Sequence, residues 1–308
     1  MVNLKNRDII SLSGLKKSEI DYILKRASKF EKVEKKGGSK VLDGKILGTI
    51  FYEPSTRTRL SFTSAMHRLG GSVLGFSGTE ATSVKKGENL ADTIRTVESY
   101  CDAIAMRHPV EGSAKLAGQV SEIPILNGGD GSHSHPTQTL LDLYTMKQAK
   151  GKLGGLKIAL SGDLKYGRTV HSLAKALALF GSDMVFASPE GLEMPKDITS
   201  NLKKEHGINV EQKHDLKKVI QDVDILYVTR IQKERFADPE EYEKIKGAYK
   251  IDLKLLEKAK KGLKVMHPLP RVNEIASEID KTDYALYFKQ AYNGVPIRMA
   301  LLSSVLGK

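Results

Sequence analysis

The chain has 308 residues, and its 40% of hydrophobic and 28% of charged residues are the mixture of an ordered globular protein, at a length that favours two domains. A single cysteine, Cys101, excludes an internal disulfide framework and cysteine-rich zinc sites and fits a reducing cytoplasm, and no apolar stretch reaches the roughly 18 residues of a membrane helix. The net charge of +12 is compatible with a nucleic-acid partner, but no helix-turn-helix, zinc-finger or aromatic RNA-binding motif accompanies the lysines, so we expect neither a nucleic-acid nor a membrane partner.

In chain order, short apolar stretches alternate with stretches of helical spacing. A helix is predicted over residues 18–30, a buried strand over 45–52 and a helix over about 58–69. Further strands are predicted at 73–76, 103–106 and 124–126, and further helices at 90–97, 114–120 and from about 136. This alternation is typical of an open parallel sheet covered by helices.

A second alternation begins after a glycine-rich stretch at 150–155, which indicates a domain start. Its predicted strands are 156–160, 184–187, 208–210, 225–228 and 263–266, and residues 285–306 are predicted to be mostly helical, interrupted near 293–296. We therefore expect an α/β fold of two doubly wound, Rossmann-like parallel-sheet domains with the ligand cleft between them. The expected boundaries are 1–149 for the first domain, with a C-terminal helix at about 288–308 packing back on it, and 150–287 for the second.

The segment between the predicted strand at 45–52 and the next helix holds many hydrogen-bond donors. It reads Glu53-Pro54-Ser55-Thr56-Arg57-Thr58-Arg59. The N–H groups and the dipole at the start of a helix attract anions, and hydroxyls beside an arginine fork bind phosphate through several hydrogen bonds. Helix capping would account for Ser55 or Thr56, but not for two arginines among hydroxyls. The segment therefore predicts a phosphate-binding loop, which differs from both the P-loop and the dinucleotide fingerprint.

Three further loops carry polar side chains. The loop at 82–88, with Ser83 and Lys86, suits an anion and equally suits a solvated surface. In the loop at 106–109, Arg107 directly follows a predicted strand, where an anion is expected. The glycine-rich loop at 128–139 holds His135 and Gln138, which we interpret as donors to a carbonyl or phosphate oxygen. Its histidines could chelate a metal, but no third ligand supports this, so no metal is predicted.

These loops resemble those of the carbamoyltransferase family. The segments that carry the resemblance are 51–59, 106–109 and 135–139 in the first half and 163–172, 229–235 and 267–271 in the second. The resemblance extends over essentially the whole chain with the motifs in matching order. The second-half segments resemble the aspartate-specific branch of the family.

The resemblance implies transfer of the carbamoyl group of carbamoyl phosphate to the amine of L-aspartate, in early pyrimidine synthesis and without a cofactor. The implied ligands of carbamoyl phosphate are Ser55, Thr56, Arg57, Thr58, Arg107, His135, Gln138, Leu269 and Pro270. Of these, Ser55, Thr56, Arg57, Thr58 and Arg107 neutralise the leaving phosphate. Thr58, Arg107 and His135 stabilise the charge that develops on the carbonyl oxygen, and Gln138 lies near the carbamoyl nitrogen. The last two ligands would offer backbone carbonyls to the carbamoyl NH₂ group.

The implied ligands of aspartate are Lys86, Arg168, Arg230 and Gln232. For either arginine, a structural salt bridge is the alternative. The resemblance also implies a homotrimer, in which Ser83 and Lys86 reach the active site of the neighbouring chain. In many family members two such trimers are joined by zinc-containing regulatory chains, a question that this sequence leaves open.

Two alternative functions remain at this stage. Ornithine carbamoyltransferases share the phosphate-binding half, but their cationic substrate needs acidic and cysteine-containing features, whereas the turn here reads His267-Pro268-Leu269-Pro270. A catalytically silent scaffold or a basic nucleic-acid-binding protein is the second alternative. The retained loop residues argue against it.

Overall fold

A computed structural model of the chain describes residues 2–34, 36–131, 133–231 and 249–307. The chain forms two compact units, one comprising Met1–Tyr144 and Tyr292–Lys308 and the other Thr145–Ala291. We call them unit 1 and unit 2. The division between them falls within a helix, Pro136–Lys150, a few residues before the predicted position. None of the described helices combines the length and the apolar character that a membrane crossing requires.

Unit 1 is built on a four-stranded parallel sheet. Its strands are β1 (Ile46–Phe51), β2 (Ser72–Ser77), β3 (Ala103–His108) and β4 (Ile125–Asp130), in the order β2-β1-β3-β4. Its described α-helices are α1 (Lys17–Glu34), α2 (Thr56–Arg68), α3 (Leu90–Glu98), α4 (Ser113–Val120), α5 (Pro136–Lys150) and the terminal helix Gly294–Val305, with 3-10 turns at Leu12–Gly14 and Ser83–Lys86.

The apolar residues of β1, β3 and β4 build a core cluster of unit 1. Ile50, Ile104 and Ile125 are fully buried and form one core cluster with side chains of α3 and α4. The terminal helix packs against α1 and α2. Pro296 stands in its first turn, where a proline costs no hydrogen bond, so the predicted interruption is limited to Asn293.

Two strands of unit 1 extend further than the sequence predicts. β3 continues through Arg107, which pairs with Phe51 of β1, so the expectation that this arginine lies in a loop is wrong. β4 continues through Gly128, which the sequence placed in a turn. A side chain at Gly128 would come within 3.0 Å of the backbone oxygen of Met106. Glycine therefore serves here as a close-packing residue of a strand rather than as a turn residue.

Unit 2 is built on a five-stranded parallel sheet. Its strands are β5 (Lys157–Ser161), β6 (Asp183–Ala187), β7 (Glu211–Lys213), β8 (Ile225–Val228) and β9 (Lys264–Met266), in the order β7-β6-β5-β8-β9. Its described helices are α6 (Arg168–Phe180), α7 (Lys196–His206), α8 (Leu216–Val219), Leu253–Leu256 and Tyr287–Tyr292, with a 3-10 turn at Ser277–Lys281. The expectation of two doubly wound parallel-sheet α/β domains is confirmed.

One strand of unit 2 was predicted in the wrong place. The sequence favoured residues 208–210, whereas β7 occupies Glu211–Lys213. All three of its residues are exposed, because it is an edge strand paired only with β6. An apolar run is a poor guide to an edge strand, since packing does not select its side chains.

Each sheet has one point where the strand order reverses, between β1 and β3 in unit 1 and between β5 and β8 in unit 2. Open α/β sheets bind ligands outside the carboxyl ends of the strands at such points. The loops after β1 and β3, and those after β5 and β8, are therefore the places to look for function.

Gly162 directly follows β5 at the reversal point of unit 2, where the chain passes close to the end of β8. It has φ +108°, and a Cβ atom there would lie 2.3 Å from the backbone oxygen of Thr229, which follows β8. We predict that Gly162→Ala lowers the free energy of unfolding by about 1–3 kcal/mol more than Gly191→Ala does. Gly191 also has a positive φ but no atom within 4 Å of its Cβ position. Urea unfolding would measure both, and equal losses would show that the close approach costs nothing.

Candidate active site

The start of α2 holds the predicted phosphate-binding loop. Ser55 occupies the N-cap position, but its side chain makes no capping hydrogen bond. Its hydroxyl is therefore not used in the way that helix capping would predict. Thr56 begins the helix, and the first turn contains no acidic residue, whereas Arg57 and Arg59 lie in it. Because the dipole makes a helix N-terminus positive, arginines in this turn repel it and favour a bound anion.

Arg57 and Arg107 bring two guanidinium groups together at the reversal point of unit 1. Loss of solvation, and then the positive charge of Arg107, lower the pKa of Arg57 from its ordinary value. Arg107 Nε donates to Glu53 Oε1 at 2.7 Å, and its Nη1 donates to the backbone oxygen of Gly128 at 3.4 Å. Within the described ranges Arg57 has no carboxylate partner. One carboxylate therefore faces two guanidinium groups, and this edge of the sheet keeps an excess of positive charge.

Thr58 and His135 meet at the same edge although 77 positions separate them in sequence. Thr58 Oγ1 lies 3.4 Å from His135 Nε2, and both residues are buried. On the other side of the ring, His135 Nδ1 lies 3.5 Å from Thr137 Oγ1. The Thr137 oxygen accepts from Arg298 Nη2 at 2.9 Å. Since arginine can only donate, the Thr137 hydroxyl can give its proton to Nδ1, which favours the tautomer with a donor at Nε2.

The other predicted residues of unit 1 lie in different surroundings. Gln138 Nε2 donates to Asp142 Oδ1 at 2.9 Å, one turn further along α5. Since an amide has a carbonyl oxygen as well, Gln138 can still accept a hydrogen bond. Ser83 and Lys86 are exposed in their 3-10 turn. No hydrogen bond or ion pair joins them to the start of α2 in the described part of the chain.

Unit 2 places two predicted arginines at its own reversal point. Arg168 is the first residue of α6, after the loop that leaves β5. Arg230 lies two residues beyond the end of β8. Both are partly buried. Gln232, the third predicted aspartate ligand of this unit, lies outside the described residues.

The Leu269-Pro270 turn follows β9 and is held by a set of short hydrogen bonds. Leu269 N donates to His267 Nδ1 at 2.8 Å, and His267 Nε2 lies 2.8 Å from Glu274 Oε1. Glu274 Oε2 accepts from the backbone N–H groups of Val272 and Asn273 at 3.0 and 2.9 Å. Burial alone would raise the pKa of Glu274, but the hydrogen bonds from His267 and the backbone together lower it from 4.5 to about 2.

The described residues contain no group of three or more His, Cys, Asp or Glu side chains arranged to hold a metal ion. The two histidines considered as chelators have different partners. His133 Nδ1 lies 3.3 Å from Asp130 Oδ2, whereas His135 contacts Thr58.

Four residues of these edges had no role in the sequence interpretation, namely Glu53, His267, Glu274 and Arg298. The first two stand inside motifs that the sequence singled out, and Glu274 follows one closely. Arg298 is buried without a charged partner among the described side chains, and its guanidinium lies 4.8 Å from the Phe62 ring centre. The only signal for it was a single charge in an otherwise apolar helix. Burial lowers the pKa of Arg298 to about 9.

The pKa of Glu274 predicts how unfolding depends on pH. Because this pKa is lower in the folded protein, the ionised carboxylate stabilises the fold above pH 4.5, and the contribution is lost as the pH falls towards 2. We predict that Glu274→Gln costs about 1–3 kcal/mol of unfolding free energy at neutral pH. The difference from wild type should shrink below pH 4.5, as measured by urea unfolding. The exposed carboxylate change Glu257→Gln is the control, and a cost independent of pH would contradict the assignment.

Two family models together match almost the whole chain. The family model described as "Aspartate/ornithine carbamoyltransferase, carbamoyl-P binding domain" matches residues 7–148, and that described as "Aspartate/ornithine carbamoyltransferase, Asp/Orn binding domain" matches residues 154–305. The aspartate carbamoyltransferase catalytic subunit of Thermococcus gammatolerans is 59% identical over 302 residues, which cover 98% of each chain.

Solved structures agree with this placement. The catalytic subunit of M. jannaschii aspartate transcarbamoylase superposes with a TM-score of 0.91 at 54% identity, over 96% of each chain. Aspartate transcarbamoylase from Trypanosoma cruzi, in complex with carbamoyl phosphate and aspartate, superposes with a TM-score of 0.92 at 41% identity, over 99% of this chain and 98% of that one. The family resemblance predicted from the loop motifs is confirmed. The chain belongs to the aspartate/ornithine carbamoyltransferase family, and within it is similar to the catalytic subunits of aspartate carbamoyltransferases.

Proposed function

We propose that this chain transfers the carbamoyl group of carbamoyl phosphate to the amine of L-aspartate, giving N-carbamoyl-L-aspartate and phosphate in pyrimidine synthesis. The observation that carries the proposal is the proximity of Arg107, near the end of β3, to Arg57, in the first turn of α2, in a chain of this family. The Trypanosoma cruzi relative, which has been solved with both substrates, supports the substrate pair.

The residues of unit 1 account for activation of the carbamoyl donor. The phosphate is held by Arg57, the hydroxyls of Ser55 and Thr56 and the N–H groups of the helix start. As the amine attacks the carbonyl carbon, negative charge moves onto the carbonyl oxygen. Thr58, His135 and Arg107 donate to that oxygen and lower the barrier. The bond from carbon to the phosphate oxygen then breaks, and phosphate leaves with the charge that the arginines neutralise.

Binding of the phosphate must compete with an internal ion pair. Arg107 donates to Glu53 through Nε and, at 3.4 Å, to the backbone oxygen of Gly128 through Nη1. A dianionic phosphate is a stronger acceptor than one carboxylate. Substrate binding would therefore draw Arg107 from Glu53 towards the phosphate and carbonyl oxygens. Direct transfer needs no enzyme nucleophile, and the leaving phosphate is itself a base for the proton of the amine.

The proposed acceptor site lies in unit 2. L-Aspartate has two carboxylates, and Arg168 and Arg230 are two guanidinium groups at one reversal point. Gln232 and Lys86 complete the proposed set of ligands. The reaction requires this set and the carbamoyl phosphate ligands to act on one pair of bound substrates. Ornithine, whose side chain ends in an ammonium group, would be repelled by a pair of arginines.

The test is a product assay on the purified chain. We predict N-carbamoyl-aspartate from carbamoyl phosphate and L-aspartate, and no product with L-ornithine, as detected by mass spectrometry. Arg230→Ala should raise the KM for aspartate by about 100-fold, because one charge-assisted contact is lost, while the Kd of carbamoyl phosphate stays within about twofold. Equal losses for both substrates would remove Arg230 from the aspartate site, and a carbamoylated ornithine product would overturn the proposal.

We further propose that the active unit is a homotrimer in which Ser83 and Lys86 serve the neighbouring chain's site. Two observations support this proposal. Both side chains are exposed in their 3-10 turn, and within the described ranges no hydrogen bond or ion pair joins them to the start of α2. A side chain that binds substrate in the active site of a neighbouring subunit does not need to pack against the active-site residues of its own subunit. Association of such trimers with zinc-containing regulatory chains stays a prediction from the resemblance.

A mixing experiment tests the shared site. Arg57→Ala and Lys86→Ala chains should each be inactive alone. When equal amounts are dissociated and reassembled at random, about one quarter of all sites would combine an intact Arg57 with an intact Lys86 from the neighbour, so about one quarter of wild-type activity should return. Native mass spectrometry verifies the mixing. Verified mixed trimers without recovered activity would contradict the shared site.

A further inference from the structure

The turn after β9 contains an unusual backbone conformation. Leu269 has φ +55°, one of two positive φ values outside glycine in the described part of the chain. The left-handed conformation costs a residue with a branched side chain about 1 kcal/mol or more. Such a residue persists only where its surroundings hold it. The turn is also the one proposed to offer the backbone carbonyls of Leu269 and Pro270 to the carbamoyl NH₂ group.

His267 holds the strained residue directly. Its Nδ1 accepts the backbone N–H of Leu269 at 2.8 Å, so this nitrogen carries no proton. The remaining ring nitrogen, Nε2, then carries the hydrogen and donates it to Glu274 Oε1 at 2.8 Å. The ring is 1% exposed, and His267 N donates to Gln290 Oε1 at 2.9 Å. Each of the two ring nitrogens therefore has a hydrogen-bond partner, and the ring has one tautomer and one orientation.

Glu274 fixes the orientation of that ring. Its second oxygen accepts two backbone N–H groups of the same turn, from Val272 and Asn273, so the carboxylate cannot rotate without losing them. The residue that follows Pro270 is fixed as well, because the guanidinium of Arg271 pairs with Asp280. The segment from 267 to 274, to which the Leu269 and Pro270 carbonyls belong, is thus cross-linked by its own hydrogen bonds.

We infer that His267, oriented by Glu274, is a positioning residue that sets the direction of the Leu269 and Pro270 carbonyls and thereby lets the enzyme distinguish a carbamoyl NH₂ group from other substituents. This inference rests on the proposed function. His267 touches neither substrate in this account, since it acts through the N–H of Leu269. Its loss should therefore affect recognition of NH₂ and leave recognition of the phosphate intact.

Two substitutions separate the two hydrogen bonds of the ring. His267→Asn keeps an acceptor at the place of Nδ1, because asparagine commonly accepts from the N–H two residues ahead, but it cannot reach Glu274. His267→Gln can still donate to Glu274 but has no acceptor at the place of Nδ1. The ligands are carbamoyl phosphate, acetyl phosphate, which has a methyl group instead of NH₂, and inorganic phosphate. Calorimetry on the full-length protein measures all three.

We predict that wild type binds carbamoyl phosphate more tightly than acetyl phosphate, and that His267→Gln loses about tenfold in this preference while its affinity for inorganic phosphate is unchanged within about twofold. His267→Asn should keep most of the preference. Should His267→Gln fail to fold, Glu274→Gln, which keeps the histidine but weakens its support, should reduce the preference in the same direction.

Equal weakening of all three ligands, or an unchanged preference in His267→Gln, would overturn the inference. A His267→Asn variant as poor as His267→Gln would also overturn it, because the acceptor at Nδ1 would then be irrelevant. Failure of the proposed function gives a different result, since wild type itself would then bind neither acyl phosphate and would form no carbamoyl-aspartate.

Discussion

Two guanidinium groups near a helix N-terminus are the constraint on which the proposed chemistry depends. Arg57 lies in the first turn of α2, where the helix dipole repels it, and loss of solvation and then the charge of Arg107 lower its pKa. Glu53 offsets part of this charge through one hydrogen bond. The fold accepts the unfavourable arrangement because β1 and β3 are neighbours at the reversal point, with large apolar side chains fixing both strands. We propose that the remaining charge binds an anion, with Thr58 and His135 as donors beside it.

The sheet edge of unit 2 is proposed to recognise the NH₂ group of the substrate, and it uses backbone carbonyls rather than charge. A phosphate can be recognised by positive charge, but an NH₂ group needs acceptors, and backbone carbonyls serve only if their direction is fixed. In the proposed function the turn at Leu269 provides them, in a strained conformation that His267 and Glu274 hold through hydrogen bonds of 2.8 Å. In the proposed site, recognition of the phosphate therefore depends on charge, and recognition of the NH₂ group depends on the direction of backbone carbonyls.

Much of the fold could be predicted from the sequence, and the structure brings some of the predicted site residues close together, such as Thr58 and His135. The buried strands followed from continuous apolar runs, and the start of α2 followed from hydroxyls and arginines at a strand-to-helix junction. The sequence could not predict that β3 runs through Arg107, because partnership with β1 rather than side-chain character extends it. Nor could it predict the contacts of Glu53 with Arg107 or of Arg298 with Thr137, which join residues 54 and 161 positions apart. Local patterns carry no information about such pairs.

The most direct test of the central claim is the binding of inorganic phosphate to the purified protein by calorimetry. We predict binding that weakens with salt and that falls at least about tenfold in Arg57→Ala. Arg95→Ala, which removes an exposed arginine of α3 paired with Asp92, should leave it nearly unchanged. If both substitutions weaken phosphate binding equally, the effect is one of net charge alone, and the start of α2 is not the anion site.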